Sequence, residues 1–216
     1  MVDWNIPNSE LGIGQNFTED CRIRYKRHKS SAGKKPGQLH PIEKVPRPFH
    51  TIHIDHLGPF IKSRRGNTQV LVCVDSFTKF CFVDAVRSTR TKHVLSKLLA
   101  IFKIFGPPKR IISDRGRSFT SKAFKQFCEA HKVIHHMNAV GMPRGNGQVE
   151  RYNRTILDSL ATMGADTTST DWDDNIHNLQ LGLNNTFNKS LGVSPSEVMF
   201  GYRTSVVNSS PDLFTD

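Results

Sequence analysis

From His50 the chain shows short apolar runs, and longer runs at helical spacing follow. His50-Thr-Ile-His-Ile-Asp55, Val70–Val74 and Phe80-Cys-Phe-Val-Asp-Ala85 read as strands, with a turn at Arg64-Arg-Gly-Asn67. Their short spacers favour antiparallel neighbours. Helical period follows: Val94, Leu95, Leu98, Leu99, Phe102 and Phe105 fall on one face, and Gly106-Pro-Pro108 ends that helix. A strand at Arg110–Ser113 comes next, then a helix from about Ser121 with Phe124, Phe127 and Cys128 inward. A short strand at Val133–His136 leads through a glycine-containing stretch to a helix striped by Val149, Tyr152, Ile156, Leu160 and Met163. Asp171-Trp172 opens another helix, with Ile176, Leu179 and Leu183 inward. Ser194-Pro-Ser-Glu197 has the form of a capping box with proline at the first helical position. The order is three antiparallel strands, then alternating helix and strand, then helices.

Composition narrows the class. With 216 residues there is enough chain for one well-buried domain plus a tail, and 37% hydrophobic residues fit a globular protein. A net charge of +11 points to a polyanionic partner. Arg22, Arg24, Lys26, Arg27, Lys29, Lys34 and Lys35 lie between Cys21 and Pro41 without an acid among them, which makes residues 1–47 a basic, mostly extended arm. No apolar run approaches the ~20 residues of a membrane span, and Met1-Val-Asp-Trp-Asn-Ile-Pro7 lacks a signal-peptide core. Cys21, Cys73, Cys81 and Cys128 have no paired spacing and read as free thiols, mostly buried.

Three acids stand in contexts that suit a metal ligand. Asp55 and Asp114 end short strands, the second running into Arg115-Gly116. Glu150 lies in Gly145-Asn-Gly-Gln-Val-Glu-Arg-Tyr-Asn-Arg-Thr155, where loop becomes helix, and 35 residues separate it from Asp114. Each acid alone has an ordinary reading as a strand end, a turn or a solvated helix position. Together they resemble the D,D-35-E signature of retroviral and gypsy-type LTR retrotransposon integrases. Pro48-Phe-His-Thr-Ile-His-Ile-Asp-His-Leu-Gly-Pro59 and Leu71-Val-Cys-Val-Asp-Ser-Phe-Thr-Lys79 resemble the opening of such a core. Ile112-Ser-Asp-Arg-Gly-Arg-Ser-Phe119 and Gly147-Gln-Val-Glu-Arg-Tyr-Asn-Arg154 resemble its other acidic motifs, and Gly192-Val-Ser-Pro-Ser-Glu-Val-Met-Phe-Gly-Tyr202 its closing helix.

The resemblance implies an α/β fold, a ribonuclease H-like core with a five-stranded mixed sheet flanked by helices. It divides the chain into a basic arm at 1–47 that retains the end of a zinc module, a catalytic core at 48–203 and a tail at 204–216. It also implies a polynucleotidyl transferase that trims element DNA 3′ ends and joins them to target DNA. In that chemistry Asp55 bridges two Mg²⁺ or Mn²⁺ ions roughly 3.5–4 Å apart, while Asp114 and Glu150 bind one each. Hard ions of this kind favour carboxylate oxygens. Asn146, Gln148, Arg151 and Arg154 are the expected DNA contacts, and Gly141, Gly145 and Gly147 make the preceding loop mobile. Double-stranded DNA and self-association are the expected partners, with a nuclear location, or failing that a cytoplasmic one. In the family the zinc module ends in Cys-x-x-Cys, whereas Cys21-Arg-Ile-Arg24 puts arginine at the second ligand position, so no zinc is expected. Asp75 and Asp84 read as turn or strand-end residues. Two rival functions are a silent, host-retained DNA-binding protein and a hydrolase of RNA–DNA hybrids. The Gly147-Gln-Val-Glu-Arg151 context disfavours the second.

Overall fold

The computed structural model describes residues 45–138, 147–162 and 170–202; at 147–150 and 161–162 only the backbone is described. The basic arm, Cys21, Asn146 and Met163 lie outside the described residues. The described residues up to Asn184 belong to one compact unit, and the described residues from Asn185 onward to another.

The first unit is built on five strands: β1 Thr51–Leu57, β2 Gln69–Asp75, β3 Cys81–Val86, β4 Arg110–Ser113 and β5 Ile134–Met137. Their order is β3-β2-β1-β4-β5, so β1 is central. It pairs antiparallel with β2, Asp55 opposite Val72, and parallel with β4, Ile54 opposite Ser113. The helices are α1 Thr91–Phe105, α2 Arg117–Thr120, α3 Lys122–Ala130, α4 Gly147–Thr162 and α5 Ile176–Asn185, with a 3-10 turn Trp172–Asn175 before α5.

Both faces of the sheet are covered, and β2 records this in its sequence. Its side chains alternate between faces, yet Val70 to Asp75 are all buried. Leu71 and Cys73 join Ile52, Ile54 and Ile111 against α1 and α3, where Val94, Leu98, Phe102 and Phe124 fill the core. Val70, Val72 and Val74 face the other way, against Ile156 and Leu160 of α4 and Trp172, Ile176 and Leu179.

Most expected elements appear within a residue or two of their predicted bounds. Gly106 ends α1 at φ 76, where its amide donates to the Phe102 carbonyl. The Ser121 hydroxyl caps α3. The expected inward face of α1 needs one correction: Leu99 is 39% exposed and Ile101 is buried instead. Five residues of helix rotate by about 140° net, which turns Leu99 away from the row begun by Val94. One short element was not foreseen, α2, and the helix expected to open at Asp171-Trp172 begins as the 3-10 turn that leads into α5. Of the paired histidines, His135 is half-buried and His136 exposed.

Side-chain contacts that no periodicity reveals hold the connections. The β1–β2 loop is tied to the 3-10 turn: the Trp172 indole donates to the Ile61 carbonyl at 2.7 Å. Ser63 and Asn67 both donate to buried Asp173 at 2.7 Å. Edge strand β3 is covered by α5, where the Gln180 and Asn184 amides pair with the Val83 and Cys81 backbone. In the second unit, α6 Pro195–Phe200 carries the expected capping box, Ser194 and Glu197 bonding reciprocally.

Candidate active site

Asp55 and Asp114 meet because β1 and β4 are parallel neighbours. Ile54 opposes Ser113 in the last pair of the ladder, so each aspartate is the next residue along its own chain. Neighbouring strands lie about 4.8 Å apart. By strand alternation Asp55 belongs to the face that α4 covers, opposite Ile52 and Ile54. Backbone amides hold both carboxylates, and α4 adds a side-chain contact to Asp55. Asp55 Oδ1 accepts from the His56 amide at 2.8 Å, and Oδ2 from Asn153 Nδ2 at 2.9 Å. Asp114 is exposed, and its Oδ1 accepts from the Gly116 amide at 2.9 Å. A Cβ on residue 116 would come within 3.0 Å of that oxygen, so glycine there lets the carboxylate fold back over its turn.

Glu150 occupies the first turn of α4, three residues before Asn153. Positions three apart share a helix side, so its backbone lies one turn from the residue that touches Asp55. The helix is fixed along its length. The Tyr152 hydroxyl donates to the Lys79 carbonyl at 2.6 Å, and Ile156 and Leu160 are fully buried. Arg151 and Arg154 are exposed on α4. Gln148 lies in its first turn, and Asn146 falls outside the described residues. Among the described residues no three His, Cys, Asp or Glu side chains gather as a metal cage; Glu150 enters here by backbone position alone.

Behind the aspartates runs a row of rings. His56 stacks on Phe119 at 5.1 Å, Phe119 meets Phe124 edge-on at 5.7 Å, and Phe124 meets His135 at 4.8 Å. His135 Nε2 lies 2.8 Å from the buried Ser113 hydroxyl, directly before Asp114. Burial lowers the His56 pKa, and the Asp114 charge opposes that shift. Sequence reasoning assigned no role to Asn153, His56 or Ser113. For Asn153 a signal existed, its three-residue spacing from Glu150; for the other two only the packing reveals the contact.

Asp75 belongs elsewhere. It pairs with Ile52, at the far end of β1 from Asp55. Fully buried, it accepts from the Phe49 amide and from the Thr78 amide and hydroxyl, so it caps the β2–β3 turn. Burial raises its pKa. Asp84 pairs with Lys97 at 2.6 Å. Burial also pushes the Cys81 thiol up to about 12 and Cys128 to about 11, which keeps both protonated and unreactive.

The chain is similar to known proteins over this region. The family model described as Integrase core domain matches residues 45–143. The Gag-Pol polyprotein of baboon endogenous virus is 33% identical over 202 residues, covering 93% of this chain and 11% of that protein. The Pro-Pol polyprotein of simian foamy virus type 3 is 31% identical over 166 residues, covering 77% of this chain and 14% of that protein. The chain thus spans less than a sixth of the length of these curated relatives. Among solved structures, the HTLV-2 integrase catalytic core domain in complex with magnesium matches with TM-score 0.58 at 23% identity, over 70% of this chain and 97% of that one. A chain of the simian T-cell lymphotropic virus intasome matches with TM-score 0.65 at 20% identity, over 92% of this chain and 72% of that one. These structural likenesses show the fold: a five-stranded mixed sheet in 3-2-1-4-5 order with flanking helices.

Proposed function

From the premise that this chain holds a retroviral-type integrase catalytic core of ribonuclease H-like fold, homologous to the integrase regions of retroviral Pol polyproteins, we propose that it is a metal-dependent polynucleotidyl transferase. It trims the 3′ ends of element DNA and joins them to a target duplex. The observation that carries this reading is the adjacency of Asp55 and Asp114, each the residue after the last pair of the parallel β1–β4 ladder, with the Glu150 turn of α4 tied alongside through Asn153.

The donor set fits a hard divalent cation. Asp55, within β1, and Asp114, directly after β4, offer carboxylate oxygens from neighbouring strands. Asp55, Asp114 and Glu150 would hold Mg²⁺ or Mn²⁺. When bound, the ions supply Lewis-acid stabilisation of charge on the attacking and leaving oxygens. The protein's own part is positional. Asn153 and the His56 amide orient Asp55, the Gly116 amide orients Asp114, and α4 carries Glu150. Arg151 and Arg154, with Asn146 and Gln148, are proposed to hold DNA phosphates near the reacting one by charge-assisted hydrogen bonds. Joining to target DNA also implies self-association, so that two element ends are served, and a nuclear site of action.

The test is strand joining by purified protein with Mg²⁺ or Mn²⁺ and a labelled duplex bearing a preprocessed 3′ end. Joined product is expected from the parent and none from Asp114→Asn. If the parent joins nothing, a disintegration substrate is the next assay. Silence on both, with duplex binding intact, would sink the transferase reading in favour of a DNA-binding protein.

A further inference from the structure

At the opposite end of the sheet from the aspartates, four basic side chains converge on the start of β1 and β4. Arg47 lies in the turn entering β1, and its carbonyl accepts from the His50 amide at 3.4 Å. The His50 carbonyl in turn accepts from the Arg110 amide at 3.0 Å, and Lys109 precedes Arg110 in the chain. The backbone therefore fixes Arg47, His50, Lys109 and Arg110 as one group.

This group lacks the compensation seen elsewhere. Arg64, Arg65, Lys97 and Lys125 all pair with acids, whereas among the described residues Arg47, Lys109 and Arg110 make no ion pair. Arg110 Nη1 is buried without a hydrogen-bond partner among the described residues. A shielded guanidinium donor left unsatisfied costs free energy and calls for a partner. Among the described residues, the one acid whose charge reaches His50 is Asp75, fully buried and engaged in three hydrogen bonds. Burial and the charges of Arg110, Arg47 and Lys109 all lower the His50 pKa, as expected where positive potential accumulates.

The turn is also built to stay in place. Phe49 holds φ at 55°, a conformation rare outside glycine. Its ring packs against Phe105 and Phe82 at 5.3 and 6.2 Å, and its amide is bound by Asp75 at 3.1 Å. Pro46 and Pro48 flank Arg47 and restrict the backbone on either side. Arg47 is thus presented from a constrained turn anchored in the core.

We propose that Arg47, His50, Lys109 and Arg110 form a phosphate-contacting site that holds the nucleic-acid backbone at the end of the sheet away from the carboxylates. The site rests on the reading that this chain acts on DNA, and adds a contact that the D,D-35-E motifs do not contain. His50 and Asp55 are five residues apart on one extended strand, about 16 Å, so the phosphate held here is distinct from the reacting one. Phosphate is favoured over a protein carboxylate by two arginine forks in one group and by a chain charge of +11.

The experiment is anisotropy titration of full-length protein with labelled random-sequence duplex DNA across a salt series. The variants are the double exchange Arg47→Gln with Lys109→Gln, both at exposed positions, and Arg110→Lys. Lys125→Gln, which removes a cation paired with Glu129, is the matched control. Circular dichroism checks that each variant folds. The double variant is expected to bind all sequences more weakly and to lower the slope of log K against log salt by about 2. Arg110→Lys keeps the charge but loses the fork, and so weakens binding with little change in slope. Lys125→Gln leaves both unchanged. A parent that binds duplex while the double variant matches it, or a control that loses as much, overturns this site and leaves the transferase reading standing. A parent that binds no duplex overturns both. Displacement of the duplex by poly-glutamate from the parent and the double variant alike also overturns the site.

Discussion

Asn153 is the residue on which the site's preorganisation turns. Its amide donates to Asp55 Oδ2 from a helix that also carries Glu150, so it sets both the rotamer of one acid and its relation to another. Asn153→Ala is expected to lower metal affinity or joining rate about 10- to 100-fold, the usual effect of losing a group that orients a metal ligand. A Mg²⁺ titration of joining activity measures it; unchanged Mg²⁺ dependence and rate would show that Asp55 is held without the amide. Asp75 makes the opposite case, an acid whose work is structural. Asp75→Asn loses acceptor capacity at a turn where three donors converge, which is expected to cost about 1–3 kcal/mol in urea unfolding. The sign of its pH dependence follows from burial. The folded chain holds the Asp75 proton more tightly than the unfolded one, whose value is 3.8. Its stabilising contribution is therefore full below that value and declines as pH rises through the folded pKa. The deficit of Asp75→Asn should shrink over the same rise, and a deficit that grows would contradict the assignment.

Among the elements, α4 couples stability to chemistry. It is anchored by fully buried Ile156 and Leu160, both far along the helix from Glu150. Leu160→Ala is expected to cost about 2–5 kcal/mol of stability, and to slow joining through the helix without touching the acids. Comparing its rate with that of an equally destabilised variant in α1, such as Leu98→Ala, separates helix placement from general loosening; equal rates would deny the coupling. Edge strand β3 depends on α5 in a different way. Asn184 supplies both the acceptor for the Cys81 amide and the donor for its carbonyl, at 2.8 Å each. An edge without such cover is a template for strand addition. Asn184→Leu strands two buried backbone groups, at about 1–3 kcal/mol each. Faster hydrogen exchange at Cys81, localised to that edge, is the expected readout.

For the whole molecule, the decisive property is charge of two signs gathered at opposite ends of one sheet. Adjacent acids repel until a cation is present. Mg²⁺ is therefore expected to raise the thermal midpoint, by about 2.7 kcal/mol of stabilisation at a hundredfold excess over its Kd. Asp114→Asn keeps the acceptor for the Gly116 amide, so its metal-free stability should stay within about 0.5 kcal/mol of the parent, while most of the Mg²⁺ response disappears. A variant that responds to Mg²⁺ as the parent does would place the ion elsewhere.

The longer strands and helices were legible because each is buried on one side or both over enough residues for its apolar spacing to repeat. The two aspartates were legible because each stands in a motif of its own, although Asp55 lies two residues inside the end of β1 and does not close it. What the linear chain leaves open is proximity. That Asp55 and Asp114 adjoin depends on β4 pairing parallel beside β1 in register Ile54 to Ser113, a contact across 58 residues of sequence that no local pattern encodes. Leu99 looked inward because hydrophobicity marks candidates for burial, while the exact helical angle decides which are covered. Asn153, His56 and Ser113 carry no apolar period at all; their roles come from what the fold brings against them. The basic group at Arg47, His50, Lys109 and Arg110 is likewise scattered in the chain and joined only by the backbone bond between β1 and β4. Local sequence thus determined the elements and the kinds of chemistry available, because those depend on neighbours a few residues away. Tertiary structure alone decided which groups share a site, because electrostatic and hydrogen-bonding partners must lie within a few ångströms in space, however far apart they are along the chain.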